Sequence, residues 1–253
     1  MISALLAMLL TGAAQAAPVP PSAPAVAFVP SIAVRTLANA WKFQFIAGGE
    51  WRWEGESREF KALQVGTYFR ILPWLQTGIF YQGQYGARHS NDWVSFAGTW
   101  AWLDTQGRRE DLGIIDLTVR QTVGGEGSPW LLELKTRLLR NFFNGEMTFM
   151  FRPGVFYYWM RGGRPFFTFF TQVESYAALN FLPGGIHETW IYAGALYSAT
   201  SWLQLGLRGE FHSWTWGTSS SYEAITNTRY NVTAHSGGVV LFAVLPFDLT
   251  PPK

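Results

Sequence analysis

The sequence predicts an all-β chain that closes into an antiparallel transmembrane β-barrel, and three observations support this fold class. Aromatic residues make up 17% of the chain and charged residues only 14%, whereas a soluble domain normally carries about a quarter charged residues. No stretch beyond the N-terminus approaches the ~18 apolar residues that a membrane-spanning helix requires. Several segments alternate apolar and polar residues with the two-residue period of a β-strand. Membrane β-barrels combine these three properties.

The N-terminus predicts an exported protein. Residues 1–16, MISALLAMLLTGAAQA, have an apolar core followed by small residues that end in an A-x-A cleavage pattern, although the usual early positive charge is missing. The next run, APVPPSAPAVAFVP, is rich in proline and is interpreted as an extended spacer. The predicted division is a cleaved signal peptide at 1–16, a Pro-rich periplasmic segment at 17–40, the barrel at 41–247 and a periplasmic tail at 248–253.

The clearest two-faced strand lies at residues 203–213, LQLGLRGEFHS. One face carries leucines and a phenylalanine, and the other carries Arg208, Glu210 and His212. In a soluble exported β-sandwich, which remains an alternative, the charged face meets water. In a membrane barrel the apolar face meets lipid and the charged face lines the lumen. The predicted lumen residues are Arg70, Asp116, Arg120, Glu133, Lys135, Arg137, Arg152, Glu174, Arg208, Glu210 and His212.

Tryptophans at the ends of three short turns predict the orientation and the strand count. The turns LPW, SPW and TSW place Trp74, Trp130 and Trp202 at the start of strands, as in an interfacial aromatic girdle. If these turns are periplasmic, ten strands result, both termini are periplasmic, and residues 93–104 belong to a long extracellular excursion. Twelve strands are the alternative, with the excursion or the last long segment divided in two. The predicted strands are 41–53, 60–72, 74–86, 110–123, 129–140, 145–159, 165–178, 187–199, 201–216 and 229–247.

Two neighbouring predicted strands carry a pattern found in a known class of proteins. Lys135 and Arg137 stand two apart on one strand, and the next strand holds RPGVFYYW from Arg152. On these residues the chain from Trp41 onward resembles bacterial outer-membrane β-barrel proteins, in particular small barrels of uncharacterised function. The resemblance implies a Gram-negative outer membrane, contact with its lipid and lipopolysaccharide, and insertion by the barrel-assembly machinery. Such barrels usually end on an aromatic residue, whereas here Phe247 is followed by DLTPPK.

The stretch YGARHSNDW, residues 85–93, is the candidate for catalysis. Outer-membrane phospholipases and lipid A deacylases carry a similar H-x-S-N pattern, in which histidine and serine share one face of a strand. Here His89 and Ser90 are adjacent, so on a strand they would point to opposite sides. These residues are therefore only weak catalytic candidates, and we expect the stretch to open the extracellular excursion. Arg88, Arg108 and Arg109 are the candidate residues for contact with lipopolysaccharide or another extracellular partner.

The sequence favours a structural, binding or narrow-transport role over catalysis. A ten-stranded barrel is only slightly wider than the eight-stranded barrels that side chains fill, and far narrower than porins of 16–18 strands. The lumen residues carry both signs of charge, which predicts a paired core, with a narrow porin-like path as the alternative. The competing function is a membrane-embedded lipid hydrolase or protease at the extracellular rim. With four dispersed histidines, no cysteine and a net charge of +2, no metal, cofactor or nucleic-acid site is expected.

Overall fold

The computed structural model is all-β and describes residues 27–53, 59–86, 91–96, 99–104, 109–125, 127–181, 185–217 and 231–249. These residues form no helix, and therefore none long and apolar enough to cross a membrane. The strands are β1 (Ala27–Ala40), β2 (Phe43–Trp53), β3 (Glu59–Leu72), β4 (Leu75–Tyr85), β5 (Asn91–Phe96), β6 (Thr99–Asp104), β7 (Arg109–Val123), β8 (Trp130–Asn141), β9 (Met147–Arg161), β10 (Arg164–Ala178), β11 (Ile186–Ser198), β12 (Gln204–Gly217) and β13 (Asn231–Asp248).

Eleven of these strands form a closed barrel in the order β1-β13-β12-β11-β10-β9-β8-β7-β4-β3-β2. Every neighbouring pair is antiparallel except β1 and β13, which run parallel from Ala27 opposite Ser236 to Asn39 opposite Asp248. An up-and-down barrel with an odd number of strands must contain one such pair, because strand direction alternates around the ring. The parallel pair is called the seam.

The barrel class is confirmed, but the predicted count of ten strands is wrong, as is the alternative of twelve. All ten predicted strands form within three residues of their expected bounds. The additional strand is β1, which lies in the predicted Pro-rich segment 17–40. Its side chains alternate, since Val29 and Ser31 are buried while Phe28 and Ile32 are exposed. The proline-rich lead-in and Pro30 hide this alternation in the sequence.

The two ends of the barrel differ in the length of their connections. One, the short-turn end, has the connections 41–42, 73–74, 124–129, 162–163 and 199–203. The other, the long-loop end, has the connections 54–58, 86–108, 142–146, 179–185 and 218–230. Strand β1 starts at the long-loop end and β13 finishes at the short-turn end. The two ends of the predicted ten-strand segment, 41 and 247, therefore lie together at the short-turn end, whereas the added strand β1 places the start of the eleven-strand barrel at the opposite end.

The excursion between β4 and β7 contributes no strand to the barrel, as predicted. Strands β5 and β6 pair only with each other in a separate two-stranded sheet. Strand β4 pairs directly with β7, with Gly78 opposite Asp116. The β5–β6 hairpin itself was not predicted.

The pleat of the barrel strands separates an apolar outward face from a polar inward face. Leu63, Ile79 and Leu241 face outward and are 59%, 64% and 59% exposed. Asp116 and Lys135 face inward and are 0% and 7% exposed. This arrangement is the reverse of a water-soluble sheet, whose apolar face is the one that is covered.

The seam predicts a specific cross-link in a chain that has no cysteine of its own. Val34 and Ala243 lie opposite each other across the seam, both on the outward face. We expect the double variant Val34→Cys/Ala243→Cys to form a disulfide on mild oxidation of the folded protein, because neighbouring strands lie about 4.8 Å apart. Mobility in non-reducing gel electrophoresis measures the bond.

The control for this cross-link is Gly49→Cys/Ala243→Cys. Gly49 lies opposite Val34 on the far side of β1. The two cysteines are then separated by two strand spacings, about 9.6 Å, whereas a disulfide needs Cα atoms within about 7 Å. If only the control pair cross-links, β13 pairs with β2 and β1 lies outside the barrel.

Candidate functional site

The predicted lumen residues all occupy inward-facing positions of the barrel strands. Nine of them form ion pairs inside the barrel, through 2.6 to 3.7 Å contacts, and His212 lies 3.0 Å from Glu188. Arg70 is apart from them, exposed near the short-turn end of β3. Five further residues that were not among the predicted lumen residues belong to the same interior: Glu50, Arg52, Tyr68, Glu188 and Trp190.

Asp116 on β7 is the most completely buried charge of this interior. The Arg137 guanidinium donates from Nε to Oδ1 at 2.6 Å and from Nη2 to Oδ2 at 2.9 Å, a bidentate pair. The Tyr68 hydroxyl donates to Oδ2 at 2.7 Å and accepts a hydrogen bond from Lys135 Nζ at 2.6 Å. Lys135 Nζ is also 3.7 Å from Oδ2. Both carboxylate oxygens are therefore satisfied by residues of β3 and β8.

A glycine makes the contact between Tyr68 and Asp116 sterically possible. Gly78 on β4 lies opposite Tyr68 on one side and opposite Asp116 on the other. The tyrosine ring crosses over Gly78, where a Cβ atom would stand 2.5 Å from the ring carbon Cδ1. Only a residue without a side chain leaves room for this ring.

Arg152 on β9 joins two carboxylates from neighbouring strands. Its Nη2 is 3.4 Å from Glu133 Oε1 on β8, and its Nη1 is 3.3 Å from Glu174 Oε2 on β10. Glu133 also accepts a hydrogen bond from Arg120 Nε at 2.9 Å. The Tyr192 hydroxyl of β11 donates to Glu174 Oε1 at 3.4 Å. One chain of polar contacts thus runs through five adjacent strands, from β7 to β11.

A second chain of contacts joins β12 to β2 inside the barrel, past the intervening strands β13 and β1. Arg52 Nη1 is 3.0 Å from Glu210 Oε1, and Arg52 also pairs with Glu50 on its own strand. Arg208 Nη2 is 3.0 Å from the other oxygen of Glu210. The Arg52 guanidinium lies 4.7 Å from the centre of the Trp190 ring, a cation–π contact. The alternation in EWRWE, residues 50–54, is a sequence signal that places Arg52 on the polar face of a strand. Its partner Glu210 on β12 is far away in the sequence, so the alternation does not predict the ion pair.

His212 is held as part of an aromatic stack. Its ring lies 3.7 Å from that of Trp190 and 4.2 Å from that of Trp214, nearly parallel to both. Its Nε2 is 3.0 Å from Glu188 Oε1. Among the described residues there is no group of three or more metal-ligating side chains. The geometry therefore gives His212 a packing role.

The predicted extracellular contact residues are only partly described. Arg88 and Arg108, like the catalytic candidates His89 and Ser90, lie outside the described residues. Arg109 begins β7 at the long-loop end, on the outward face. It donates to Asp111 and to the Tyr81 hydroxyl at 3.2 and 3.1 Å. Its guanidinium is thus held against the outer wall of the barrel.

The predicted girdle residues Trp74, Trp130 and Trp202 all lie at the short-turn end, 48%, 46% and 54% exposed. Trp41, in the turn between β1 and β2, and Trp159, near the end of β9, add two further indoles at this end. Neither was predicted, since no turn of the LPW or SPW type precedes them in the sequence. A ring of exposed indoles at one end is characteristic of a membrane interface.

Outward-facing charges lie near the ends of the barrel strands. Within the side chains that the structure describes, they are Lys61, Arg109, Asp111, Arg140 and Arg161, each no more than three residues from a strand end. The described outward-facing side chains that lie between these charged residues and the opposite ends of their strands carry no charge, and they are called the charge-free belt. Burying such a belt in lipid leaves no charge unpaired in hydrocarbon.

Comparisons of the chain with protein-family models, with curated protein sequences and with solved structures give no match. The function is therefore inferred from the chemistry of the lumen and of the charge-free belt. Both features follow from one pleat, in which successive side chains point to opposite sides of the wall.

Removal of the Asp116 charge tests the ion-paired interior. We expect Asp116→Asn to lower the free energy of unfolding by about 3–5 kcal/mol, because Arg137 and Lys135 then remain buried without their acid. Urea unfolding of the refolded protein, followed by tryptophan fluorescence, measures the change. The matched control is Asp111→Asn, which removes an exposed carboxylate on the same strand and should change stability little. Equal loss in the two variants would contradict the central role of Asp116.

Proposed function

We propose that the protein is a transmembrane β-barrel of the Gram-negative outer membrane, with a structural, binding or narrow-transport role and a lumen largely filled by ion pairs. The observation that carries this proposal is the combination of a charge-free outward belt with charges buried inside. A soluble barrel has the opposite distribution, because water solvates charges on the outside at little cost. A lipid environment accounts for both faces at once.

The dimensions of the strands support a membrane span. A tilted transmembrane strand needs about 9–11 residues to cross the hydrocarbon core. The shortest barrel strands, β2 and β4, have 11 residues each. Every described barrel strand is therefore long enough to carry the belt across a bilayer.

The connections support an orientation in this membrane. Outer-membrane barrels have short periplasmic turns and longer extracellular loops. By this rule the short-turn end, with its five exposed tryptophans, faces the periplasm. The long-loop end, which includes the β5–β6 hairpin, faces the outside. Lipopolysaccharide and the barrel-assembly machinery are the partners that this location implies.

The filled interior supports a closed or narrow lumen over an open pore. Eleven strands lie close to the eight-stranded size that side chains can fill, and far below the 16–18 strands of a porin. Arg152 bridges the two strands beside β9, and Arg52 on β2 reaches Glu210 on β12 past β1 and β13. Only small solutes fit such a path. The alternative of a rim hydrolase depends on His89 and Ser90, and no described contact favours it.

A charge placed in the belt tests the membrane location. Ile115 lies in the middle of β7, faces outward and is 56% exposed. We expect Ile115→Lys to destabilise the barrel in lipid vesicles by about 2–4 kcal/mol, because the ammonium enters hydrocarbon. The control Tyr85→Lys, at the end of β4, should cost about 0–1 kcal/mol. Urea titration of vesicle-refolded protein measures both, and a neutral Ile115→Lys would indicate an outward face in water.

Surface labelling tests the orientation in a chain without native cysteine. Leu179 lies at the long-loop end and Ser201 in the short turn between β11 and β12, both exposed. A membrane-impermeant maleimide added to intact cells should label Leu179→Cys and spare Ser201→Cys, because only long loops face outside. Permeabilised cells should label both. The reverse pattern would invert the proposed orientation.

A further inference from the structure

Arg35 is a cation inside the barrel that has no partner within the part of the chain that the structure describes. It lies on the inward face of β1, opposite Gly48 of β2. A Cβ atom built on Gly48 would stand 3.7 Å from the Cβ of Arg35, so the two positions point to the same side of the wall. The Arg35 side chain is exposed to the space inside the barrel. Among the described residues it makes no hydrogen bond or ion pair.

The neighbours of Arg35 do not neutralise it. The positive charges of Arg137, Arg152 and Arg208 act on its guanidinium from β8, β9 and β12. Each of these three arginines already pairs with a carboxylate, at 2.6 to 3.3 Å. Arg35 is therefore the excess positive charge of this part of the lumen, and it is held close to charges of the same sign.

Two of these neighbours also have unused hydrogen-bonding capacity. The Nε atoms of Arg152 and Arg208 are buried and have no acceptor among the described residues. A guanidinium offers five N–H donors, and a buried donor without an acceptor costs free energy. The four arginines of this region face three carboxylates, so one positive charge and several N–H donors remain without a partner among the described residues.

We propose that the lumen binds a small oxyanion, of the phosphate or carboxylate class, on Arg35 beside Arg152 and Arg208. An oxyanion supplies negative charge and several acceptor oxygens together, and its geometry fits the planar fork of a guanidinium. Gly48 leaves the space beside Arg35 without a side chain. The proposal rests on the proposed function, in which the lumen is the polar, narrow interior of a membrane barrel.

Arg70 indicates the direction from which the anion enters. It faces inward near the short-turn end of β3, is exposed, and has no side-chain partner among the described residues. A positive charge at an opening raises the local concentration of anions and speeds their entry. The anion therefore enters the lumen from the short-turn end, which is the proposed periplasmic side.

The test is titration of the full-length protein, refolded in detergent micelles, with inorganic phosphate against a chloride blank of equal ionic strength. Calorimetry should show saturable phosphate binding by the unaltered chain. Arg35→Gln should weaken this binding by at least about tenfold, because a charge-assisted hydrogen bond is lost. The control Arg140→Gln, which changes an exposed arginine on the outward face of β8, should leave it unchanged. Competition by acetate distinguishes a carboxylate ligand from phosphate.

The outcomes separate this proposal from the proposed function. A folded chain without saturable phosphate or acetate binding, or equal binding by Arg35→Gln, would overturn the anion site. Heat-modifiable mobility in gels reports folding, and if Arg35→Gln does not fold, Arg35→Lys replaces it. The lysine variant should bind phosphate more weakly, and unchanged affinity would also overturn the site. Phosphate binding in micelles without insertion into vesicles would remove the membrane proposal alone.

Discussion

The structure depends on the pairing of buried charge inside the barrel, and Asp116 is the clearest case. An ionised carboxylate removed from water costs several kcal/mol unless close partners compensate it. Its partners come from both sides: Tyr68 reaches it from β3 across Gly78, and Arg137 and Lys135 reach it from β8. Slippage of β7 by one residue would turn Asp116 outward and break all these contacts. The ion pairs therefore specify the register of the wall as well as neutralising the interior.

The same register determines the outer surface. Because side chains alternate, every inward charge leaves its neighbours in sequence on the outward face. On β7, Asp116 lies between Ile115 and Leu117, which are 56% and 44% exposed. A charged interior and a charge-free belt are thus two consequences of one pleat. A charged fraction of only 14% is enough to supply the ion pairs of the interior, since most charged residues lie where they meet a partner.

The seam connects the topology of the barrel to the chemistry of its lumen. Parallel pairing is slightly less stable per residue than antiparallel pairing, yet here it extends along nearly the whole of β1. Inserting β1 between β13 and β2 brings Arg35 into an interior whose other central cations are paired. Without this strand the remaining ten would close with antiparallel pairs only, and the excess positive charge would be absent. The odd strand therefore alters the lumen as well as the closure.

The sequence by itself determined the barrel class, ten of its strands, the face on which each predicted lumen residue lies, and three exposed tryptophans at one end. These are local properties, because a two-residue period and a turn are visible within a few neighbouring residues. Only the tertiary structure decided which charges pair: Arg152 bridges Glu133 and Glu174, and Arg52 reaches Glu210 from the opposite end of the chain. It also decided that β1 closes the ring. Strand pairing is non-local, so alternation within one strand does not specify the strand that lies beside it.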